Sequence, residues 1–189
     1  HHPGGKGIYD AIIVGGGIYG AVIALECARA GLSIIVVEKD ERLQGASVNS
    51  LNTLHGGLRY LQHLDFKRMR RSIYSRRYFQ LESPAEIDAV PFVLPLKGWG
   101  MEGPLAMKAA LMLNDLISMD RNKGLDPVSR IPGGRILSRH LMLEELPGIR
   151  RLDFSRAAIW YEAVMNNPEQ LLKNLLKKAA EHGAKFLHS

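Results

Sequence analysis

The stretch Tyr9-Asp10-Ala11-Ile12-Ile13-Val14-Gly15-Gly16-Gly17-Ile18-Tyr19-Gly20, followed by Ala21 to Gly31 and then Ser33-Ile34-Ile35-Val36-Val37-Glu38, decides the fold. Ile12, Ile13 and Val14 form a β-branched run of the kind found in strands buried on both faces of a parallel sheet. The glycines stand where such a strand hands over to a helix. Ala21, Val22, Leu25 and Ala28 recur at helical spacing, Gly31 stops the helix, and Ser33 to Val37 reads as a second strand. In Gly15-x-Gly17-x-x-Gly20 one glycine allows the tight turn, one lets the backbone approach a pyrophosphate, and one lets the helix pack closely on the strand. N–H groups at the helix start then face the phosphates. Glu38 closes the second strand near the roughly 20-residue distance at which a carboxylate accepts the hydrogen bonds of a ribose 2′-hydroxyl. An acid there repels a 2′-phosphate, so FAD or NAD is favoured over NADP.

The 189 residues can bury a sizeable core and suggest one domain or slightly more. No apolar run approaches the roughly 20 residues that span a bilayer. His1-His2-Pro3-Gly4-Gly5 resembles the remnant of a tag and is left out of the functional reading. Cys27 is the single cysteine, so no internal disulfide is expected and a reducing compartment fits; its plain role is that of a small buried residue. No Cys/His cluster has metal-ligand spacing. The formal charge of +6 owes most to the Lys67–Arg77 segment, where Phe66, Met69 and Ile73 mark the apolar face of an amphipathic helix from about Asp65 to Glu82. A solvated basic face is the default reading. It could also attract anionic lipid, while a nucleic-acid partner is not expected because no recognition motif accompanies it.

Beyond Glu38 the sequence leaves the simple dinucleotide pattern. Gln44 to Thr53 is small and polar, suited to lying against a cofactor, and His55-Gly56-Gly57-Leu58-Arg59-Tyr60-Leu61 follows. A Gly-Gly pair between a histidine and an arginine lets backbone come near a flat ligand. Pro91 to Leu96 reads as a short extended piece at a strand end or sheet edge. Pro104 opens a helix to about Met119, with Leu105, Ala109, Met112, Leu113 and Leu116 as its core face and an exposed face toward membrane or partner as the alternative. Asn122 to Gly134 reads as loop, and Ser138 caps a short helix from Arg139 to about Leu146. Ala157 to Tyr161 reads as a strand, Pro168 opens a helix to Glu181, and Ala184 to Leu187 begins another strand. The expected fold class is α/β: a Rossmann-like nucleotide-binding sheet with helices and an inserted α+β substrate or cap region, with the chain as an N-terminal fragment. Residues 1–88 (1–6 being tag remnant) are assigned to the cofactor domain, 89–164 to the insert, and 165–189 to the return into the sheet.

His55 to Leu61, coming after the glycine fingerprint and Glu38, resembles the FAD-dependent glycerol-3-phosphate dehydrogenases, within the D-amino-acid-oxidase-like flavoproteins. The likeness extends through Gln62 to Phe66, Pro91 to Pro95, Leu137-Ser138-Arg139, Glu144 to Gly148, and Trp160-Tyr161-Glu162. It implies that Gly15, Gly17, Ile18, Gly20, Glu38, Lys39, Ser47, Ser50, His55, Gly56 and Gly57 bind FAD. It implies also that Arg59 and Tyr60 lie near a small-molecule substrate. A guanidinium offers paired donors to phosphate oxygens. The implied reaction oxidises glycerol 3-phosphate to dihydroxyacetone phosphate by hydride transfer to flavin N5. A quinone or oxygen would be the electron acceptor, and the location cytoplasmic, in peripheral contact with the inner face of the membrane. No catalytic residue is assigned. His55 is as readily a backbone-bonding turn histidine as a proton carrier. The family's threonine, serine-rich run and lysine before the histidine are replaced by Ala46, Val48, Leu51 and Asn52, and its later acidic pair by Asn166-Asn167. These departures keep open another flavoenzyme of the superfamily, acting on an amine, amino acid or hydroxy acid. A nucleotide-binding module without turnover is the non-enzymatic alternative.

Overall fold

The computed structural model describes residues 8–39, 51–96, 103–151 and 153–188. It divides into two compact units, one made by the chain up to Asn52 together with the chain from Met165 onward, the other by Thr53–Val164. Residues 53–88, which the sequence groups with the cofactor domain, therefore pack with the second unit.

In the first unit, strand β1 (Ala11–Val14) leads into helix α1 (Ile18–Arg29), and strand β2 (Ile34–Glu38) follows. Helix α5 (Pro168–Glu181) and strand β7 (Lys185–His188) complete it near the other end of the chain. The sheet is parallel in the order β1-β2-β7, with Ile13 opposite Val36 and Val36 opposite Phe186. Asn167 caps α5, its side chain accepting the Gln170 N–H at 3.0 Å. That cap gives one of the two asparagines a structural reason: a short acceptor satisfies an N–H that the helix leaves unpaired. Ala21, Ala24, Leu25 and Ala28 of α1 and Leu171, Leu172, Leu175 and Ala179 of α5 are buried, with Ile34 and Val36 of β2.

The small residues of α1 let the helix lie close to the strands. β1 corrects the expectation of a strand buried on both faces, since Val14 is 86% and Ile12 66% exposed. Helix α1 covers only the side of β1 that carries Ile13: a Cβ built on Gly20 would stand 3.4 Å from the Ile13 methyl. Alternate residues of a strand point to opposite faces, which leaves Ile12 and Val14 on the other side.

The second unit holds a four-stranded sheet in which Thr53–Leu54, Arg156–Met165 and Ile87–Leu96 lie side by side in that order and Arg135–Ser138 also pairs with Arg156–Met165. Its strands are β3 (Thr53–Leu54), β4 (Ile87–Leu96), β5 (Arg135–Ser138) and β6 (Arg156–Met165). Helices α2 (Phe66–Glu82), α3 (Pro104–Ile117) and α4 (Arg139–Glu145) accompany them. β4 stands at an end of the strand order, where its two prolines remove no ladder donor that a central strand would need. Asp65 caps α2 by accepting the Arg68 N–H at 3.0 Å. The buried stripe of α2 is Met69, Ile73, Arg76 and Gln80, so helical periodicity carries an arginine and a glutamine into the interior. Half of the helix's six cations are engaged far along the chain, Arg76 in the interior and two more with one acid. Asp120 takes Arg70 at 2.6 Å and Arg77 at 3.3 Å, which leaves Lys67, Arg68 and Arg71 as the exposed cations of the helix.

α3 departs from expectation. Leu105, Ala109, Met112, Leu113 and Leu116 are exposed, Leu105 at 83%, while the inward positions are Met107, Leu111, Asn114 and Ser118. A helix apolar nearly all round has no single periodic stripe, so spacing alone does not identify its buried side. β3 and β5 were not expected from the sequence. Thr53-Leu54 is too short to show alternation, and β5 follows directly on a glycine pair. Among the described residues no helix is long and apolar enough to cross a membrane.

Candidate functional site

Each unit contains a glycine turn pinned by a carboxylate. In the first unit Gly15 has φ +97°, a left-handed conformation open to glycine, and its N–H donates to the Val37 carbonyl at 2.8 Å. The next N–H, of Gly16, donates to Glu38 Oε2 at 2.5 Å. The acid ending β2 thus sits on the turn that ends β1. A Cβ at Gly20 would lie 1.9 Å from the Gly15 carbonyl oxygen, so any other residue there would displace the turn. Gly17 is the extended residue before α1, whose first turn has no side-chain cap. The positive end of the helix dipole thus lies beside the glycine turn. Ile18 is the first residue of α1, and Lys39 is exposed just past β2. Ser47 and Ser50 lie outside the described residues.

In the second unit His55 is half-buried, and Gly56 donates its N–H to Glu162 Oε2 of β6 at 2.5 Å. Arg76 reaches in from α2, with Nη1 3.6 Å from the same oxygen; the two side chains are 4% and 7% exposed. Burial pushes the Glu162 carboxyl up from the usual carboxylate range, against the pull of the Gly56 N–H and Arg76. Burial likewise holds the Arg76 guanidinium below its ordinary value. A Cβ at Gly56 would stand 2.1 Å from Arg76 Nη1. Gly57 has φ +95°, and a Cβ there would stand 2.9 Å from the Met69 carbonyl oxygen. On the sides where side chains would project, this glycine pair makes room for α2; toward a ligand the segment can offer only its backbone and His55.

Arg59 and Tyr60 are brought together. Arg59 Nη2 donates to the Tyr60 hydroxyl at 2.6 Å, and the guanidinium carbon lies 4.8 Å from the ring centroid. That hydrogen bond, more than any other influence, lowers the Tyr60 hydroxyl from its ordinary pKa.

Sequence reasoning missed Glu162 and Arg76 as parts of this arrangement. The available signals were a lone acid inside the apolar run Ala157 to Met165 and the place of Arg76 on the Met69–Ile73 stripe. It missed also a cleft of about 680 Å³ between α3 and β5, where Lys108, Arg135 and Arg156 border Leu105, Met112 and Ile136.

A strand running through a left-handed glycine into an uncapped helix, with the acid of the next parallel strand on the turn, defines a dinucleotide-binding α/β protein. The chain belongs to the FAD dependent oxidoreductase family, DAO, which it matches over residues 10–189. FAD is the cofactor of that family. The glycerol-3-phosphate dehydrogenase of Synechocystis sp. is 27% identical over 180 residues, covering 95% of this chain and 31% of that protein. The chain thus spans about three-tenths of the length of the curated relatives it matches.

Among solved structures, the Bacillus halodurans glycerol-3-phosphate dehydrogenase complexed with FAD aligns with TM-score 0.59 at 20% identity, over 95% of this chain and 26% of that one. Glycine oxidase from Bacillus cereus aligns with TM-score 0.57 at 19% identity, over 96% and 46%. At such identities the two likenesses establish the fold alone.

Proposed function

We propose that this chain carries the nucleotide-binding turn of an FAD-dependent dehydrogenase that oxidises glycerol 3-phosphate to dihydroxyacetone phosphate. The observation that carries the reading is the Gly16–Glu38 hydrogen bond at the mouth of β1, where a left-handed glycine, an uncapped helix and a carboxylate meet. These groups fit a dinucleotide: the positive end of α1 beside the glycine turn would face the diphosphate, Gly20 keeps the helix close, and Glu38, which takes the Gly16 N–H here, would accept from the adenosine ribose. Ser47, Ser50 and Lys39 would add contacts to the same nucleotide, and His55, Gly56 and Gly57 would border the flavin.

When bound, FAD supplies the hydride acceptor for alcohol oxidation. The chain's part is to bind and orient. Arg59 would pair with a substrate phosphate through its fork of donors, and Tyr60, held by Arg59, would stand beside it. The names of the curated relatives support glycerol 3-phosphate as the substrate, and a quinone or oxygen is the acceptor in this reading. Lys67, Arg68 and Arg71 are the cations through which a peripheral membrane contact at the cytoplasmic face would be made. Anaerobic addition of glycerol 3-phosphate to the flavin-loaded protein tests the assignment: bleaching of the flavin band supports it, and a flavin that stays oxidised removes that substrate.

A second reading, oxidation of a small amine, amino acid or hydroxy acid, is favoured by the replacements from Ala46 to Asn52. A panel of such substrates, scored by the same bleaching, separates the two. Flavin that binds yet bleaches with none of them would instead identify a binding module without turnover.

A further inference from the structure

Strand β6 carries one acid, Glu162, among buried Ala157, Ala158, Ile159 and Ala163. Two groups from different parts of the chain meet on it: the Gly56 N–H as a hydrogen-bond donor, and the Arg76 guanidinium as an ion-pair partner at 3.6 Å. Stability alone is a poor reason to keep such a group. Buried ion pairs are often matched or bettered by apolar residues of similar volume, because desolvation offsets the attraction. Here the offset is aggravated, since Arg76 Nε is buried without a hydrogen-bond partner. What the pair does achieve is local. Oxygen Oε2 takes the Gly56 N–H while Arg76 Nη1 occupies the space above the Gly56 Cα, so one peptide is gripped from β6 and from α2 together. Gly57, left-handed and backed by Met69, closes the same turn on its other side.

We propose that Glu162, braced by Arg76, is a positioning residue: it fixes the Gly56 peptide plane and through it the backbone and the His55 side chain that the turn presents to the flavin. The inference rests on the FAD reading above. Glu162 touches neither cofactor nor substrate in this role, and acts through the turn.

The test uses the whole chain with Glu162→Gln and Arg76→Lys, and Glu162→Asp as a second variant should Gln fail to fold. The Gly56 amide and His55 ring resonances are read without cofactor; FAD affinity and the visible band of bound flavin are read with it. The expected wild-type signature is a strongly downfield Gly56 amide proton protected from exchange. In Glu162→Gln or Glu162→Asp that proton moves upfield, His55 shifts, and FAD binds roughly ten- to a hundredfold more weakly with an altered band, while far-ultraviolet dichroism is kept. Arg76→Lys, which retains the charge, should recover part of the affinity. Gly56 and His55 resonances that stay in place, with FAD affinity within about twofold of wild type, would overturn the positioning role and leave the FAD reading intact. A wild-type chain that shows the Gly56 signature but takes no FAD would overturn both.

Discussion

The Gly15–Gly20 turn and the Gly56–Gly57 turn share a plan and differ in how they are held. Each contains a glycine near φ +95°, each donates a neighbouring glycine N–H to a glutamate Oε2 at 2.5 Å, and each has a position where a Cβ would collide with its surroundings. In the first turn the acid is 22 residues away, at the end of the adjacent parallel strand, and is only half-buried. In the second it is 106 residues away and buried, and an equally buried arginine stands against it. A turn held by local strand order can face solvent and a ligand. One held by buried charge belongs to its own core, and its fold depends on that charge being matched.

The contrast is sharpened most by removing one partner of the buried pair. Glu162→Ala should cost about 3–5 kcal/mol in urea unfolding, because Arg76 is left buried and uncompensated. A loss below about 1 kcal/mol would put the second turn in the same class as the first. Gly20→Ala comes next. Its Cβ has no space beside the Gly15 carbonyl, so destabilisation of about 1–3 kcal/mol is expected together with an FAD affinity weaker by roughly a hundredfold, read by flavin fluorescence. Glu38→Ala should cost about 1 kcal/mol in unfolding through the lost Gly16 contact and weaken FAD about tenfold, the size of one charged hydrogen bond to a sugar hydroxyl.

The smallest effect concerns Asp120, whose carboxyl is held down at about 2 first by its hydrogen bond from Arg70, with the Arg77 charge adding to it. A depressed carboxylate stabilises the fold above its unfolded pKa near 4, and that contribution is lost as pH falls through about 2. Asp120→Asn should therefore lower the unfolding midpoint at pH 7 by the equivalent of about 1 kcal/mol or less, with the difference closing between pH 4 and pH 2. A gap that persists unchanged to pH 2 would show that the ion pairs do not hold α2 to the end of α3.

Much of the first unit was legible in the sequence because its determinants are local. Glycine spacing, the alanine face of α1, the acid ending β2 and the proline that opens α5 each act within a few turns of chain, and β7 was expected within one residue of its place, whereas the Asn167 cap was not read from the sequence. Ile12 and Val14 misled because a β-branched run reports strand preference and not which faces other elements cover. In the second unit the boundaries of α2 and α4 were readable, whereas the burial of α3 was not, since its apolar residues run around the whole helix. Glu162 and Arg76 were hidden for a further reason. Their meeting depends on β6 and α2 packing together, and a charged residue in an apolar pattern reads as an irregularity until its partner is in place.

The most direct test of the nucleotide turn is an FAD titration of the chain followed through the amide resonances of Gly16, Gly17 and Ile18. Saturable shifts of all three, weakened in Glu38→Ala and not reproduced by NADP, are the expected result. FAD that binds at saturation while those three amides stay where they were would contradict the assignment of this turn to the cofactor.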